Sequence, residues 1–320
     1  MATTGDPSAT PGAAPWAVSR GPAEAGESGR CAWCGAPFAR TDAEPGRGRR
    51  DCVRCGTATT DPWPSPDELE HAYAHYRPED GRFSWLGDAV LRRTRARLAA
   101  RIDHVAPPGP VLDVGAGDGA LLDALHVLGR EAIGLERDSR REDVREADLT
   151  EVEGHFAAIV FWHSLEHLPS PGASIDHAAQ RLMPQGVLFV AVPNGASLQA
   201  RVFGDRWFHL DLPRHLVHLS TRALTGRMRA LGLTVTRVSH WRGGQMLFGW
   251  LHGLVGTLPS EPDLYDAIRR PEARSRPLSH RRRALALGAA AVLFPLAAAA
   301  TALELAVRRG GTVYVEARRG

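Results

Sequence analysis

The sequence predicts an α/β fold built around a largely parallel sheet. Three observations predict it. Short apolar runs alternate with stretches of helical periodicity, a glycine-rich turn follows the first run, and acidic residues occur at the ends of the first two runs. Alternating strands and helices of this kind are typical of parallel sheets covered by helices. A chain of 320 residues has room for one such domain and smaller modules.

Composition limits the partners and the compartment. The formal net charge is +3, and every basic residue apart from the histidines is an arginine, since the chain has no lysine. This imbalance is too small to predict a nucleic-acid partner. Residues 1–30 are rich in Ala, Pro, Gly, Ser and Thr and have no apolar segment of the signal-peptide type. We therefore expect a disordered tail on a cytoplasmic protein.

The four cysteines form two C-x2-C pairs separated by seventeen residues. The pairs are Cys31 with Cys34 and Cys52 with Cys55. This spacing is typical of a four-thiolate zinc site, which is closed and has no open position for catalysis. We therefore predict a structural zinc ribbon over residues 31–60. Two disulfides are the alternative, and a reducing compartment disfavours them.

The segment between the cysteines and the sheet is expected to be a linker with leading helices, over residues 61–105. Its prolines predict an extended link, followed by a helix through Tyr76 that Ser65 or Asp67 would cap. Residues 88–105 have apolar side chains near helical spacing with arginines between them. They predict the helix that precedes the core, which we assign to residues 106–242.

A glycine-rich turn opens this core. Val111 to Val114 predicts a short buried strand, and a helix with leucines on one side begins near residue 120. Between them lie Gly115, Gly117 and Gly119. Glycine permits a sharp turn and a close approach of ligand to backbone, and amides at a helix N-terminus carry partial positive charge. The turn is therefore expected to bind a nucleotide-like ligand.

The second strand is predicted over residues 131–136 and ends in an acid. Glu136 lies 17 residues beyond Gly119. A carboxylate at the end of the second strand can accept hydrogen bonds from both ribose hydroxyls. This pattern fits S-adenosylmethionine (SAM) and NAD equally, so Glu136 predicts nucleoside binding without naming the ligand. Only a short connection then separates Glu136 from Asp148, so the helix common at this point is expected to be abbreviated.

The string Val111-Leu-Asp113-Val-Gly115-Ala-Gly117-Asp118-Gly119 resembles motif I of class I SAM-dependent methyltransferases. In that family the turn backs the methionine part of SAM, and an acid beside it can receive the ammonium group. The resemblance implies cofactor contacts by Asp113, Gly115, Ala116, Gly117, Gly119, Glu136, Asp148 and Trp162, with Asp148 near the adenine amino group. Gly115, Gly117 and Ala120 also satisfy the dinucleotide pattern G-x-G-x-x-G/A, which leaves an NAD-dependent oxidoreductase as an alternative.

Two later strings favour the methyltransferase. A predicted strand over residues 156–161 runs into Trp162-His-Ser-Leu-Glu-His-Leu-Pro169, and a W-x5-P-R-H-x2-H-x-S string occupies residues 207–220. Both are similar to ubiquinone-type O-methyltransferases. That family implies a Rossmann-like seven-stranded sheet whose last strand is reversed. Here the last strand would be residues 311–317, within a final segment of residues 311–320.

The histidines that follow these strands have two candidate roles. In the first, His163 or His215 is a general base that draws a proton from the attacking hydroxyl. In the second, His163, Glu166 and His167 join a later histidine around a divalent metal. The spacing resembles the E-x-x-E-H metal motif of some small-RNA 2′-O-methyltransferases and ubiquinone-type enzymes, with His163 in place of the first acid. The three side chains share one face if the segment is helical. His167 alone is also explained as a structural residue.

Residues 243–310 form an unusually long insertion before the last strand. They contain an apolar segment over residues 246–255, an arginine-rich connector, and twenty uncharged residues over 284–303. Twenty apolar residues can span a bilayer, but the last strand must rejoin the sheet, which excludes a single crossing. One hypothesis is a helical hairpin over residues 245–307 at the inner face of a membrane, with arginines on anionic headgroups. The other is an alanine-rich helix that caps the active site.

The sequence therefore predicts a zinc ribbon joined to a SAM-dependent methyltransferase with a small-molecule substrate. The acceptor atom would be an oxygen or carbon of an apolar, lipid-linked or sugar-type molecule. A different class of hypothesis is a non-catalytic SAM-fold protein that is recruited through its ribbon and basic hairpin. No nucleic-acid partner is expected.

Overall fold

The structure is a computed structural model, and it describes residues 29–38, 48–74, 85–241, 243–259, 262–271, 274 and 277–320. The tail predicted over residues 1–30 lies almost entirely outside these residues. The strands are β1 (Arg49–Asp51), β2 (Ala58–Thr60), β3 (Val111–Val114), β4 (Ala132–Leu135), β5 (Val144–Arg145), β6 (Phe156–Trp162), β7 (Leu182–Pro193), β8 (Val217–His218), β9 (Thr234–Ser239) and β10 (Thr312–Arg318). The helices are α1 (Pro66–Tyr73), α2 (Trp85–Val105), α3 (Ala120–Val127), α4 (Pro171–Arg181), α5 (Leu198–Phe203), α6 (Thr221–Ala230), α7 (Gly244–Gly256), α8 (Leu264–Ile268) and α9 (His280–Ala306).

A seven-stranded sheet in the order β5-β4-β3-β6-β7-β10-β9 forms the centre of the molecule. Strands β5, β4, β3, β6 and β7 pair in parallel, and β10 lies antiparallel between β7 and β9. The predicted α/β fold with a reversed last strand is confirmed. Strand β5 has only two residues and no helix lies between β4 and β5, as the short connection after Glu136 predicted.

Both faces of the sheet are buried, which explains why its central strands are continuously apolar. Along β7, Leu188 and Val190 pack on one face, while Val187 and Phe189 pack on the other, following the period of two of a strand. Helices α2 and α3 cover the second face, and α4 and α6 cover the first. This packing fixes the carboxyl ends of β3, β4 and β6 at one edge.

The leading helices differ slightly from prediction. Helix α1 ends at Tyr73 rather than Tyr76, and α2 begins at Trp85. Ser65 caps α1 as expected: its hydroxyl oxygen accepts from the Glu68 amide at 3.2 Å, while the Glu68 carboxylate accepts from the Ser65 amide at 2.8 Å. This reciprocal pair satisfies two amides at the start of the helix, which explains where it begins.

The cysteine-bearing segment is integrated with the core rather than attached beside it. Strand β2 pairs antiparallel with β1 and with β8, which belongs to the loop after α5. On the other side of the segment, Arg227 of α6 donates to the backbone oxygen of Trp33 at 2.7 Å. The ribbon therefore shares a small three-stranded sheet with the loop that carries His215 and His218.

The insertion forms a hairpin of α7 and α9, with α8 in the connection. Glu304 on α9 is fully buried and accepts hydrogen bonds from Gln199 of α5 and from the indole nitrogen of Trp250 at 3.0 Å. By length and composition, α9 is one described helix that could cross a membrane, and only 17% of its most apolar window is buried. Most of α9 is exposed. The alternative of an alanine-rich helix that caps the active site therefore does not explain the apolar residues on its outer face.

Candidate active site

A cavity of about 2890 Å³ opens at the carboxyl edge of the sheet. Its walls include Gly115 after β3, Glu136 after β4, Trp162 at the end of β6, His215 before β8 and Phe248 on α7. Ligands of open α/β folds bind outside the carboxyl ends of the strands, where helix N-termini and loops converge. The cavity is therefore the candidate active site, and the insertion contributes one of its walls.

The glycine turn has the backbone geometry that the sequence predicted. Gly115, Gly117 and Gly119 have φ angles of 81°, 60° and 75°, in the left-handed region that favours glycine. A side chain at Gly115 would overlap Ser164, and one at Gly119 would overlap Arg141, whereas Gly117 has open space beside it. Protein side chains therefore make the close approach at Gly115 and Gly119, whereas the backbone at Gly117 has open space beside it.

Only part of the turn reaches the cavity. Gly115 lines it, whereas Ala116, Gly117 and Gly119 are not among the described residues of its wall. Ala116 is buried, and its side chain lies so close to Gly134 of β4 that a Cβ there would overlap it. The contribution of Ala116 to the site is therefore packing of the turn against the sheet.

Glu136 lines the cavity and is held by the turn. One carboxylate oxygen accepts from the amide of Gly117 at 2.9 Å, and the other accepts from the amide of Arg137 at 3.0 Å. These bonds fix the carboxylate at the cavity wall, and a carboxylate oxygen can accept more than one hydrogen bond.

The other predicted cofactor acids differ in environment. Asp113 is buried, its Oδ1 atom has no hydrogen-bond partner among the described residues, and burial raises its pKa to about 7 despite the opposing charge of Arg95. Asp148 lines the cavity but caps a short 3-10 helix, accepting from the amide of Thr150 at 2.8 Å. Trp162 also lines the cavity, with the Arg95 guanidinium 4.9 Å from its ring centre.

Glu166 lies at the centre of the histidine cluster, 2% exposed. Nδ1 of His163 is 3.5 Å and Nε2 of His215 is 4.0 Å from the same carboxylate oxygen. Burial raises the pKa of Glu166, but the neighbouring imidazoles outweigh it and lower the pKa to about 2. Within the described part of the chain neither carboxylate oxygen has a hydrogen-bond partner, so a buried negative charge is left to face the imidazoles.

The hydrogen bonds of two histidines determine which nitrogen carries the proton. Nδ1 of His215 lies 2.8 Å from the backbone oxygen of His209, and Nδ1 of His167 lies 3.0 Å from that of Arg214. A carbonyl oxygen only accepts, so both Nδ1 atoms are assigned as donors and each Nε2 of the neutral ring has a lone pair. Burial lowers the pKa of His167 to about 4, which keeps it neutral at pH 7.

Three of these groups fit a divalent metal. Glu166, His167 and His215 each place one potential ligand atom within 4.8 Å of the others. Two imidazole nitrogens and a carboxylate suit first-row divalent ions, and a carbonyl partner at Nδ1 is the usual arrangement of a metal-binding histidine. The two carboxylate oxygens of Glu166, which have no hydrogen-bond partner among the described residues, also fit a role as metal ligands.

This group differs from the predicted one in one member. His163 precedes the 3-10 helix Leu165–His167 and has a φ of 58°, so it does not share a helical face with Glu166 and His167. The expectation of an i, i+3, i+4 face is wrong because the backbone turns at His163. A non-glycine residue in the left-handed region is uncommon and often occurs at functional sites. His163 instead contacts Glu166 from the side of the cavity.

Sequence reasoning missed several residues of the site. The hydroxyl of Tyr73 lies 2.9 Å from Nδ1 of His167, and Asp211 lies 3.7 Å from Nε2 of His215. On β10, Glu316 lines the cavity and is held by Arg101 of α2 through two hydrogen bonds of 2.9 and 2.7 Å. Asp211 lies inside the W-x5-P-R-H string and was accessible from sequence, whereas Tyr73 and Glu316 had no local signal.

The four cysteines lie together as predicted. Sγ of Cys31 is 3.6 Å from that of Cys55, Sγ of Cys34 is 3.7 Å from that of Cys52, and all four lie within 4.8 Å of one another. Thiolates around a tetrahedral zinc ion, with Zn–S of about 2.3 Å, are separated by about 3.8 Å. A disulfide would need about 2.05 Å. The cysteines are unbonded, so the residues fit a zinc ion and not the disulfide alternative.

The reversed last strand, the glycine turn and the acid that follows β4 together match the fold of class I SAM-dependent methyltransferases. Comparison with known proteins agrees. Residues 73–238 match the family model described as "Methyltransferase domain", and the chain belongs to this family.

The chain is similar to proteins of one name from two bacteria. The chain is 30% identical over 161 residues to a "Ubiquinone biosynthesis O-methyltransferase" of Xanthomonas campestris pv. campestris (strain B100), covering 42% of this chain and 66% of that protein. It is 35% identical over 156 residues to the protein of the same name in Xylella fastidiosa (strain 9a5c), covering 41% and 63%. The chain thus spans just under two thirds of the length of these relatives. A solved "SAM dependent methyltransferase from Archaeoglobus fulgidus" is 15% identical with a TM-score of 0.44, covering 71% of this chain and 94% of that one.

Proposed function

We propose that the protein transfers the methyl group of SAM to an oxygen or carbon of a small apolar, lipid-linked or sugar-type acceptor. The observation that carries this proposal is a single cavity with a cofactor side and an acceptor side. Gly115 and Glu136 line the first, and the Glu166 cluster lines the second. Placement of two reactants in one cavity can supply much of the rate of a direct transfer.

The cofactor side would hold SAM through its sugar and its methionine part. Glu136, already fixed by the amides of Gly117 and Arg137, would accept hydrogen bonds from the ribose hydroxyls. Asp113 lies two residues before Gly115 and is not among the described residues of the cavity wall; a cofactor ammonium close to it would lower the pKa that burial has raised. The reversed strand argues against a dinucleotide as the ligand, because the classical dinucleotide-binding fold has six parallel strands.

The acceptor side favours apolar rings and chains. Phe208, Phe248 and Tyr265 line the cavity and pack edge to face, with ring centres 5.2 Å apart for Phe208 with Phe248 and for Phe208 with Tyr265. Two of these rings belong to the insertion. An aromatic wall of this kind favours burial of apolar acceptor surface.

Two roles for the histidine cluster share Glu166. In one, His163 is the general base, and Glu166 orients its ring through the 3.5 Å contact at Nδ1. In the other, Glu166, His167 and His215 hold a divalent ion, which would polarise an acceptor hydroxyl when bound. The orphaned oxygens and the Nε2 lone pairs support the metal, with His163 as the adjacent base.

The zinc ion that the four cysteines fit is proposed to be structural. Cys31 and Cys52 are buried, and a closed four-thiolate site offers no position for a reactant. Its role would be to fix the ribbon, and with it β2 and β8, beside the histidine cluster.

SAM binding tests the proposal directly. We expect calorimetry to give one SAM site per chain, with affinity reduced at least tenfold in Glu136→Ala. The matched control is Glu131→Ala, because Glu131 lies just before the same strand and is exposed. Absence of SAM binding, or equal affinity in both variants, would refute the cofactor assignment.

Turnover tests the chemistry. Incubation with SAM labelled in its methyl group and lysate fractions should label an extractable small molecule. SAM binding with no labelled product would instead support the non-catalytic alternative.

Two variants test the roles of the histidines. His163→Asn and His215→Asn should each reduce labelling, but only His215→Asn should reduce the bound divalent metal, measured by mass spectrometry after subtraction of one zinc. Unchanged labelling in His215→Asn with intact SAM affinity would remove His215 from the mechanism.

A further inference from the structure

The outward face of α9 is apolar from Leu285 onward, beyond the arginines of its first turn. The helix packs on α7 and α8 through one stripe, which includes the buried residues Ala286 and Ala297. Away from that stripe, five exposed apolar side chains follow one another at helical spacing. They are Leu285, Val292, Leu296, Leu303 and Val307, exposed by 47%, 80%, 56%, 58% and 47%. The exposed face of a helix in water normally carries polar side chains, so this face is a candidate interaction surface.

The exposed charges at the two ends of this face are positive. Arg281, Arg282 and Arg283 are exposed at the start of α9, and Arg308 and Arg309 are exposed just after its end. The acid on this helix, Glu304, is fully buried and bonded to Gln199 and Trp250. The face is therefore an apolar strip with cations at both ends and no exposed acid between them.

We propose that the outward face of α9 binds a bilayer that contains anionic phospholipids, with the helix lying parallel to the membrane surface. From Leu285 to Leu303 the strip is about 27 Å long at 1.5 Å per residue. Apolar side chains would enter the acyl region while the arginines contact the phosphate groups. This surface lies outside residues 73–238, the part of the chain that matches the family, so it belongs to this chain's own insertion.

The fold excludes a transmembrane orientation. Only five residues separate the end of α9 from strand β10, which pairs with β7 and β9. Helix α9 also packs on α7 and α8, and near its end Glu304 bonds it to α5 and α7. A helix that is packed sideways on a water-exposed domain can contact a membrane only with its outer face.

The same insertion lines the cavity, through Phe248 and His252 on α7 and Tyr265 on α8. If α9 binds a membrane, the acceptor side of the cavity is formed by the same insertion that contacts lipid, which suits an apolar acceptor. Membrane binding itself does not depend on the proposed methyl transfer.

Co-sedimentation of the full-length protein with vesicles tests the proposal. We expect at least tenfold stronger binding to vesicles of equal phosphatidylglycerol and phosphatidylcholine than to phosphatidylcholine alone, weakening as salt increases. The double variant Val292→Asp with Leu296→Asp should bind the anionic vesicles at least tenfold more weakly. The matched control is Val127→Asp on α3, where the wild-type side chain is 86% exposed, and its binding should equal that of the wild type.

The charge contribution is tested separately. Replacement of Arg281 and Arg282 by Gln should remove most of the preference for anionic vesicles; Arg283 is kept because its guanidinium donates to the backbone oxygen of Ala267 at 3.0 Å. Arg92→Gln with Arg93→Gln on α2 should leave it unchanged. Circular dichroism should give the same helix content for all variants, since every changed side chain is exposed.

Three results would overturn the proposal. The first is no binding of the wild type to anionic vesicles, and the second is equal binding of the Val292→Asp, Leu296→Asp variant. The third is a wild-type dimer by light scattering that this variant dissociates while neither binds vesicles. The apolar strip would then be an interface between two copies of the chain.

Discussion

The hydroxyl of Thr60 donates to the backbone oxygen of His215 at 2.6 Å, which joins the last strand of the cysteine ribbon to the histidine cluster. Thr60 ends β2, and the cysteines lie at its other end, where the Thr57 hydroxyl contacts Sγ of Cys55 at 3.0 Å and Sγ of Cys31 at 3.3 Å. A short β-strand thus connects the four thiolates to a residue of the candidate site. The ribbon therefore supports the position of His215.

Thr60→Val tests this support. The substitution keeps the shape of the side chain but leaves the His215 carbonyl without this donor, which should reduce the free energy of unfolding by about 1 kcal/mol. We also expect methyl transfer to fall several-fold with unchanged SAM affinity, because His215 would be less firmly placed. Urea unfolding and labelling assays measure the two effects.

The control is Thr59→Val on the same strand. Thr59 is also buried, but its hydroxyl accepts from the amide of Ala32 at 3.3 Å and stays within the ribbon. We expect a similar loss of stability without the loss of turnover. Equal turnover in Thr60→Val and the wild type would contradict the proposed support of His215.

Zinc binding gives a second prediction. Mass spectrometry of the purified protein should find one zinc ion per chain, and Cys34→Ser should lose it and unfold at lower temperature, because one thiolate of the tetrahedral set is missing. Thr57→Val should keep the zinc, since Thr57 contacts two thiolates but is not a ligand. Full zinc content in Cys34→Ser would argue against the four-thiolate site.

Asp113 should make the cofactor-free protein less stable as pH rises. Burial raises its folded pKa to about 7, above its usual value of 3.8, so its favourable contribution is complete below pH 3.8 and is lost as pH rises through 7. Asp113→Asn removes this dependence. It should match the wild type near pH 4 and be more stable at pH 8 by on the order of 2–4 kcal/mol.

Urea unfolding at several pH values measures this difference, with Asp51→Asn at an exposed position as the control. SAM should bind more weakly to Asp113→Asn if the cofactor ammonium pairs with this carboxylate. A stability difference that does not vary between pH 4 and pH 8 would show that Asp113 is not the buried acid in question.

Arg101 and Glu316 give a fourth prediction with the opposite sign. Burial raises the pKa of Glu316, but Arg101 and Tyr314 outweigh it and hold the pKa below its usual value. The pair therefore stabilises the fold above pH 4.5, and this contribution is lost as pH falls through the lowered pKa. Arg101→Met should lower stability by about 2–3 kcal/mol at pH 7, because Glu316 is 1% exposed and loses its ionic partner.

The loss should shrink toward pH 4, where Glu316 can accept a proton. The control is Arg93→Met, an exposed arginine of the same helix, which should change stability little. The double variant Arg101→Met with Glu316→Gln should recover part of the lost stability, since no unpaired charge is then buried. No recovery would mean that packing, rather than charge, explains the single variant.

The local sequence was enough to predict the elements that depend on interactions between residues close in the chain. The glycine turn was predictable because only glycine adopts positive φ without strain, and all three glycines do so. The zinc cysteines were predictable because each pair lies in one tight turn. The reversed last strand came from the resemblance and is confirmed, whereas the sequence had no signal for the sharing of one small sheet by β2 and β8.

What the sequence by itself determined is the class of the protein: the order of strands and helices, the turn that opens the core, the acid that ends β4 and the four-cysteine ribbon. Only the tertiary structure decided which histidines meet Glu166, since Tyr73, His167 and His215 are distant in the chain and converge through packing. It also decided that α9 exposes its apolar face. Periodicity records which residues are apolar, but whether a side chain is covered depends on what folds against it.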